Sequence, residues 1–140
     1  MEMITFTKDT KRKEEREALI DGLFPEANGD PESRPHIFDK KTIFLSCRVH
    51  PGETPASYVL DGIMKFLLKQ TEQAKTLLEK FVFKVVPQLN PDGVYRGYWR
   101  LDTMAQNLNR FYTNPHPEHQ PTIFGVKKVI VQQYQYKKLD

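Results

Sequence analysis

The chain has 140 residues, one domain's worth, with 39% hydrophobic and 28% charged residues, a balance that reads as folded and soluble rather than disordered. A net charge of +3 falls short of the basic excess that nucleic-acid binding calls for. The single cysteine, Cys47, rules out a disulfide framework within the chain, and no apolar run approaches the roughly 18 residues of a membrane span or forms a leader. A reducing compartment, cytosol or nucleus, is the default expectation.

Residues 3–7 (MITFT) read as a short strand. Residues 8–24 begin charged and end apolar, and Leu19, Ile20, Leu23 and Phe24 fall at helical spacing. Residues 25–41 hold three prolines and a glycine and read as a surface loop. Residues 42–49 (TIFLSCRV) form a nearly unbroken apolar, β-branched run, the pattern of a strand covered on both faces in a parallel α/β sheet. Cys47 inside it reads as a buried, reduced core thiol.

Pro51 and Gly52 break this run. Thr54 suits an N-cap and Pro55 the first helical position. From there Ala56, Val59, Leu60, Ile63, Met64, Leu67 and Leu68 recur at spacings of three and four, which predicts an amphipathic helix to about residue 70. A shorter helix over 71–80 follows, with Ala74, Leu77 and Leu78 inward, and then a buried strand over 81–87 ended by Pro87. Strand, helix, helix, strand implies a right-handed crossover between parallel strands. Functional groups in such sheets gather at the carboxyl ends of the strands, where both HPGE (50–53) and QLNPDG (88–93) fall.

NPDG at 90–93 has turn chemistry. Residues 94–112 lack a steady period, 113–122 read as a second proline-rich loop, and 123–139 predict a helix with Val126, Val129, Ile130 and Tyr134 on one side and no stop signal.

The chemistry centres on His50 and Glu53. Both residue types are good zinc ligands, and a sharp Pro-Gly turn lets them face one point. Glu53 also precedes a helix start, where the dipole favours an anion. On its own His-x-x-Glu reads first as a helix-start anion beside a polar strand-end histidine. A catalytic zinc needs three protein ligands; His36, His116 and His119 all lie in proline-rich stretches that hold a ligand poorly. Arg100 and the pair Asn109-Arg110 are the second constellation. A guanidinium can clamp a carboxylate bidentately or stabilise an oxyanion near a metal. Each arginine taken singly reads as a solvated charge, and only convergence on His50 changes that. Arg96 is left as a surface charge, and Tyr98, Trp99, Phe111 and Tyr112 as packing.

Taken together, SCRVHPGETPASYVLDGIMKFLL, FVFKVVPQLNPDGVYRGYWR and NLNRFY, in this order, resemble the cytosolic carboxypeptidases of the zinc metallocarboxypeptidase superfamily, and ITFT, LFPE and PTIFGVKKVI extend the likeness over nearly the whole chain. Asn107, with RVHPGETP and LFPE, is most similar to the type 5 branch, which is associated with removing branch-point glutamates from polyglutamylated tubulin. The resemblance implies an incomplete metallocarboxypeptidase-like α/β fold, a mixed sheet with flanking helices. Residues 1–140 would form the amino-proximal part of the catalytic domain, without its later strands or a preceding β-sandwich.

The resemblance further implies one zinc with His50 and Glu53 as its first two ligands, Arg100 as the oxyanion arginine, and Asn109 and Arg110 on the substrate's C-terminal carboxylate. The third ligand, a histidine of a DxHxH-type strand, and the general-base glutamate would lie further along. The expected partner is a protein with an acidic C-terminal tail, tubulin foremost, in the cytoplasm or nucleus, with no nucleic acid and no membrane. The 140 residues alone are expected to be inactive and poorly soluble. Two other readings stay open: a non-catalytic module gripping acidic tails through Arg100 and Arg110, and an amidohydrolase of small N-acylamino acids.

Overall fold

The computed structural model describes residues 1–20, 23 and 34–139. A three-stranded sheet lies at its centre, in the order β1 (Ile4–Phe6), β5 (Phe81–Val86), β4 (Lys41–Ser46). β4 runs parallel to β5, with Lys41 opposite Phe81 and Ser46 opposite Val86; β1 is antiparallel to β5, with Ile4 opposite Val85. The sheet is therefore mixed, and the parallel pair flanks two intervening helices, α1 (Pro55–Leu68) and α2 (Glu72–Lys80), as the apolar periods predict.

Alternation along the strands builds three layers. Phe83 and Val85 of β5 and Ile43 and Leu45 of β4 pack with Leu60 and Leu67 of α1 and Leu77 and Leu78 of α2. Phe44 and Val86 face the other way and pack with Ile123 and Val126 of α4 (Pro121–Gln135). Leu67 is 2% exposed, and burying such a side chain stabilises the fold by about 2 kcal/mol. Lys84 is as deeply buried on the α4 side, where its Nζ lies 2.8 Å from Glu17. Gln133 of α4 donates to the same carboxylate at 2.9 Å and accepts from the Thr42 hydroxyl at 2.9 Å, so the buried charge is paired and hydrogen-bonded. Lys40 is also buried, and its Nζ donates to Thr7 Oγ1 and to the carbonyls of Lys8 and Leu78. Burial lowers its pKa, with Glu79 acting in the opposite direction.

Several sequence expectations are corrected. Residues 8–24 hold a strand, β2 (Arg12–Arg16), where helical spacing suggested a helix; it pairs antiparallel with β3 (His36–Phe38). The Lys/Arg/Glu run has little apolar surface to anchor a helix, and cross-strand pairing overrides local preference. Leu19 is exposed rather than on a buried face, and Phe24 lies outside the described residues. The loop read over 25–41 includes β3, whose Ile37 is buried; residues 25–33 lie outside the described residues.

β4 is covered less completely than its unbroken apolar run implies, being the edge strand of this sheet among the described residues. The central strand is β5, with Val85 and Val86 fully buried. Thr54 has no side-chain cap bond, whereas Thr71 does cap α2, accepting from the Ala74 N–H.

NPDG opens a short helix, α3 (Pro91–Tyr95), whose N-cap Asn90 accepts from the Gly93 N–H at 3.0 Å. On α4 the buried face runs through Ile123, Val126, Val129, Gln132 and Gln133, while Ile130 and Tyr134 are exposed. The two glutamines turn inward because Glu17, Thr42 and the Ala18 carbonyl need partners there. The helix does stop: Lys137 takes a left-handed φ of 56° and the Lys138 N–H bonds back to the Gln133 carbonyl.

Candidate active site

His50 sits just past the carboxyl end of β4, and the segment from Pro87 leaves the carboxyl end of β5 beside it. Backbone bonds from Leu89 N–H to Cys47 O (2.9 Å) and from Asn90 N–H to Arg48 O (3.1 Å) hold the two exits together. The chain reverses at Pro51-Gly52, with Glu53 N–H donating to His50 O at 3.3 Å. His50 is 5% exposed and Glu53 is exposed, so the pair presents a buried imidazole and an open carboxylate.

Two acceptors face the imidazole. Nδ1 lies 2.9 Å from Glu53 Oε1, and Nε2 lies 3.0 Å from Asn107 Oδ1. The same Oδ1 accepts from the Asn109 N–H at 3.2 Å, which fixes the amide's orientation. An N–H on Nε2 suits that acceptor. In the tautomer with its proton on Nε2, Nδ1 presents a lone pair to the Glu53 carboxylate, an arrangement that a cation between them would satisfy. At 2.9 Å the two atoms are close enough to reach one ion at about 2 Å each. The acceptor behind the distal nitrogen is the support that metal-bound histidines characteristically have. The donor set thus fits two of zinc's ligands. Among the described residues no group of three or more His, Cys, Asp and Glu converges, so no third ligand joins them there.

The segments that carry the arginines are tied to the His50 turn, whereas the guanidinium groups themselves make no bond to His50 or Glu53 among those described. The Gly52 N–H donates to the Trp99 carbonyl at 2.8 Å, tying the His50–Glu53 turn to the residue before Arg100. A Cβ at Gly52 would lie 2.6 Å from Trp99 Cε3, so only glycine permits this approach. Asn109 and Arg110 lie in a 3₁₀ turn (Leu108–Arg110) capped by Asn107, the residue bonded to His50. Arg100, Asn109 and Arg110 are all exposed, and Arg110 Nη1 bonds the Asn109 carbonyl at 3.2 Å. A cavity of about 370 Å³ opens beside the turn, lined by Glu53, Arg48, Cys47, Val59 and Tyr112 among others. Burial raises the pKa of Tyr112. A larger cavity, about 590 Å³ between Met3, Val129 and Gln132, touches none of the five predicted site residues.

His116 and His119 stack at 4.5 Å on the surface, and His36 bonds the Lys13 carbonyl within the β2–β3 pair, so all three stand apart from His50. The residues that sequence reasoning missed are the supports. Asn107 appeared only as a branch marker and Trp99 only as packing. Their chemistry lies in one side-chain oxygen and one backbone carbonyl, which no spacing rule marks.

An α/β sheet carrying a histidine and a glutamate at a strand's carboxyl end, beside arginine-bearing loops, is the architecture of a metallocarboxypeptidase. A family model described as zinc carboxypeptidase matches residues 1–136, and the chain belongs to that family. It is 43% identical over 141 residues to cytosolic carboxypeptidase-like protein 5 of Danio rerio, covering 99% of this chain and 16% of the relative. With cytosolic carboxypeptidase 6 of Mus musculus it shares 48% identity over 104 residues, 74% of this chain and 19% of the relative. The fold matches a putative carboxypeptidase A from Shewanella denitrificans with a TM-score of 0.66 and 36% identity, covering 68% of this chain and 26% of that one. The chain thus spans less than a fifth of the length of these curated relatives. No helix among the described residues is long and apolar enough to cross a membrane.

Proposed function

We propose that the protein carrying this chain is a zinc-dependent carboxypeptidase that removes C-terminal glutamates from acidic protein tails, those of polyglutamylated tubulin foremost, in the cytosol. The observation that carries this reading is the set of three bonds converging on one turn: His50 to Glu53, His50 to Asn107, and Gly52 to Trp99. Family membership and the names of the relatives support the reaction class and the compartment.

In this reading His50 and Glu53 hold the zinc with a third ligand from outside the 140 residues, and these residues alone are inactive. When bound, zinc acts as a Lewis acid toward a scissile carbonyl and lowers the pKa of water. Arg100 supplies a guanidinium for the oxyanion, its segment held near the site through the Trp99 carbonyl. Asn109 and Arg110 grip the free terminal carboxylate, which is how an exopeptidase selects a chain end. In this reading Asn107 accepts from His50 Nε2, which leaves Nδ1 for the metal.

The test is release of glutamate from polyglutamylated tubulin by the full-length protein, followed by mass spectrometry. Zinc-dependent release that is lost in His50→Ala is the expected result. Tail binding that survives chelation but fails in Arg110→Ala, with no release, would replace the enzyme with a binding module. Turnover of short N-acylamino acids without peptide cleavage would select the amidohydrolase.

A further inference from the structure

We propose that Arg48 is the positioning residue of the His50–Glu53 pair, acting through the Pro51 carbonyl; this rests on the reading of that pair as zinc ligands. Arg48 lies two residues before His50 with φ at +55°, in the left-handed region. A residue with a Cβ is strained there, so contacts elsewhere must hold it in place.

Arg48 is held from both ends. Its carbonyl accepts from the Asn90 N–H at 3.1 Å, fixing it to the exit of β5. Its guanidinium reaches forward: Nε and Nη2 both donate to the Pro51 carbonyl, at 3.1 and 2.5 Å, and Nη1 donates to Ser57 Oγ at 2.8 Å. One planar group thereby joins the turn between the two ligands to the first turn of α1. The left-handed backbone and the fork act together, folding the side chain back over the three residues that follow it. A point charge cannot reproduce this, because the contact uses two parallel N–H groups on one oxygen and a third on a hydroxyl. Arg48 itself donates to neither ligand among the bonds described, so its effect on them passes through Pro51.

The direction of the effect separates position from charge. A cation beside a metal site repels a second cation, so if Arg48 acted by charge alone its removal would tighten zinc binding. If it acts by position, removal loosens binding.

The experiment is zinc affinity of the full-length protein by competition with a chromophoric chelator, for the parent, Arg48→Gly, Arg48→Lys and Ser57→Ala. Glycine tolerates the backbone angle but lacks the fork. It should weaken zinc binding about 10–100-fold, the range for lost supports of metal ligands. Lysine keeps the charge and should fail to restore affinity. Ser57→Ala removes one of the three contacts, folds most readily, and should weaken binding by a smaller factor. Zinc binding in Arg48→Gly as tight as the parent's or tighter, or full rescue by lysine, overturns the proposal. A metal-free arm measures amide hydrogen exchange over residues 52–54, which should accelerate in Arg48→Gly; unchanged exchange also overturns it. If the parent binds no zinc, the metal reading fails on its own, and the exchange arm still decides whether Arg48 holds the turn.

Discussion

Asn107 places one side-chain oxygen 3.0 Å from His50 Nε2 and 3.2 Å from the Asn109 N–H two residues on. A single amide therefore orients the imidazole and shapes the 3₁₀ turn carrying Asn109 and Arg110. Replacing Asn107 by alanine should weaken zinc binding by about 10–100-fold, while aspartate, which keeps the acceptor and adds charge, should preserve or tighten it. Chelator competition on the full-length protein checks both; equal affinity in parent and alanine variant would remove Asn107 from the site.

Gly52 makes a second link, between the ligand turn and the Arg100 segment. A methyl group there would meet Trp99 Cε3 at 2.6 Å and the Trp99 carbonyl at 2.7 Å. Neither can yield without moving the Gly52–Trp99 bond, so Gly52→Ala should cost about 1–3 kcal/mol, as overpacking does. The variant should also lower the turnover number more than it raises KM, because Arg100 is proposed to act on the oxyanion rather than on ground-state binding. Urea denaturation and steady-state kinetics measure the two effects separately. A variant as stable and active as the parent would show that the turn and the Trp99 segment move independently.

The sequence made the β4–α1–α2–β5 unit legible because its signals agree: unbroken apolar runs, a three-four helical period, and proline at the boundaries. The same unit carries His50 and Glu53, so the pair and its place at a strand end could be read directly. β2 was not legible, since RKEER has no apolar face and becomes a strand only by pairing with residues 36–38. The α4 face was misread for a related reason. Gln132 and Gln133 look solvent-facing until the Ala18 carbonyl and the Glu17 carboxylate, each more than a hundred residues away in sequence, appear as their respective partners. Asn107 and Arg48 act through contacts that depend on backbone reversal, which periodicity does not encode.

The buried pair of Lys84 and Glu17 yields a prediction about stability. Lys84 is 1% exposed and its carboxylate partner 12%, and Gln133 completes the network. Lys84→Met leaves Glu17 charged and unpaired, and should cost about 3–5 kcal/mol, as breaking one side of a buried pair does. The double variant Lys84→Met with Glu17→Leu should recover much of that loss, because an apolar pair of similar volume has no desolvation cost. Chemical denaturation of the four proteins in the cycle measures the coupling. Additive losses would mean that the two charges are solvated independently.

Tyr112 lines the cavity beside Glu53, and burial raises its pKa above the ordinary tyrosine value of 10.0. The neutral phenol is thus favoured in the folded state. Between pH 10 and the raised folded pKa the folded chain binds more protons than the unfolded one, so stability falls as pH rises through that window. Below pH 10 the phenol is neutral in both states and its contribution is flat. Ultraviolet difference titration of phenolate should show one late-ionising tyrosine that disappears in Tyr112→Phe. Urea midpoints measured on either side of pH 10 should fall less steeply with pH in that variant than in the parent. If the late component persists in Tyr112→Phe, the shielded phenol is another tyrosine.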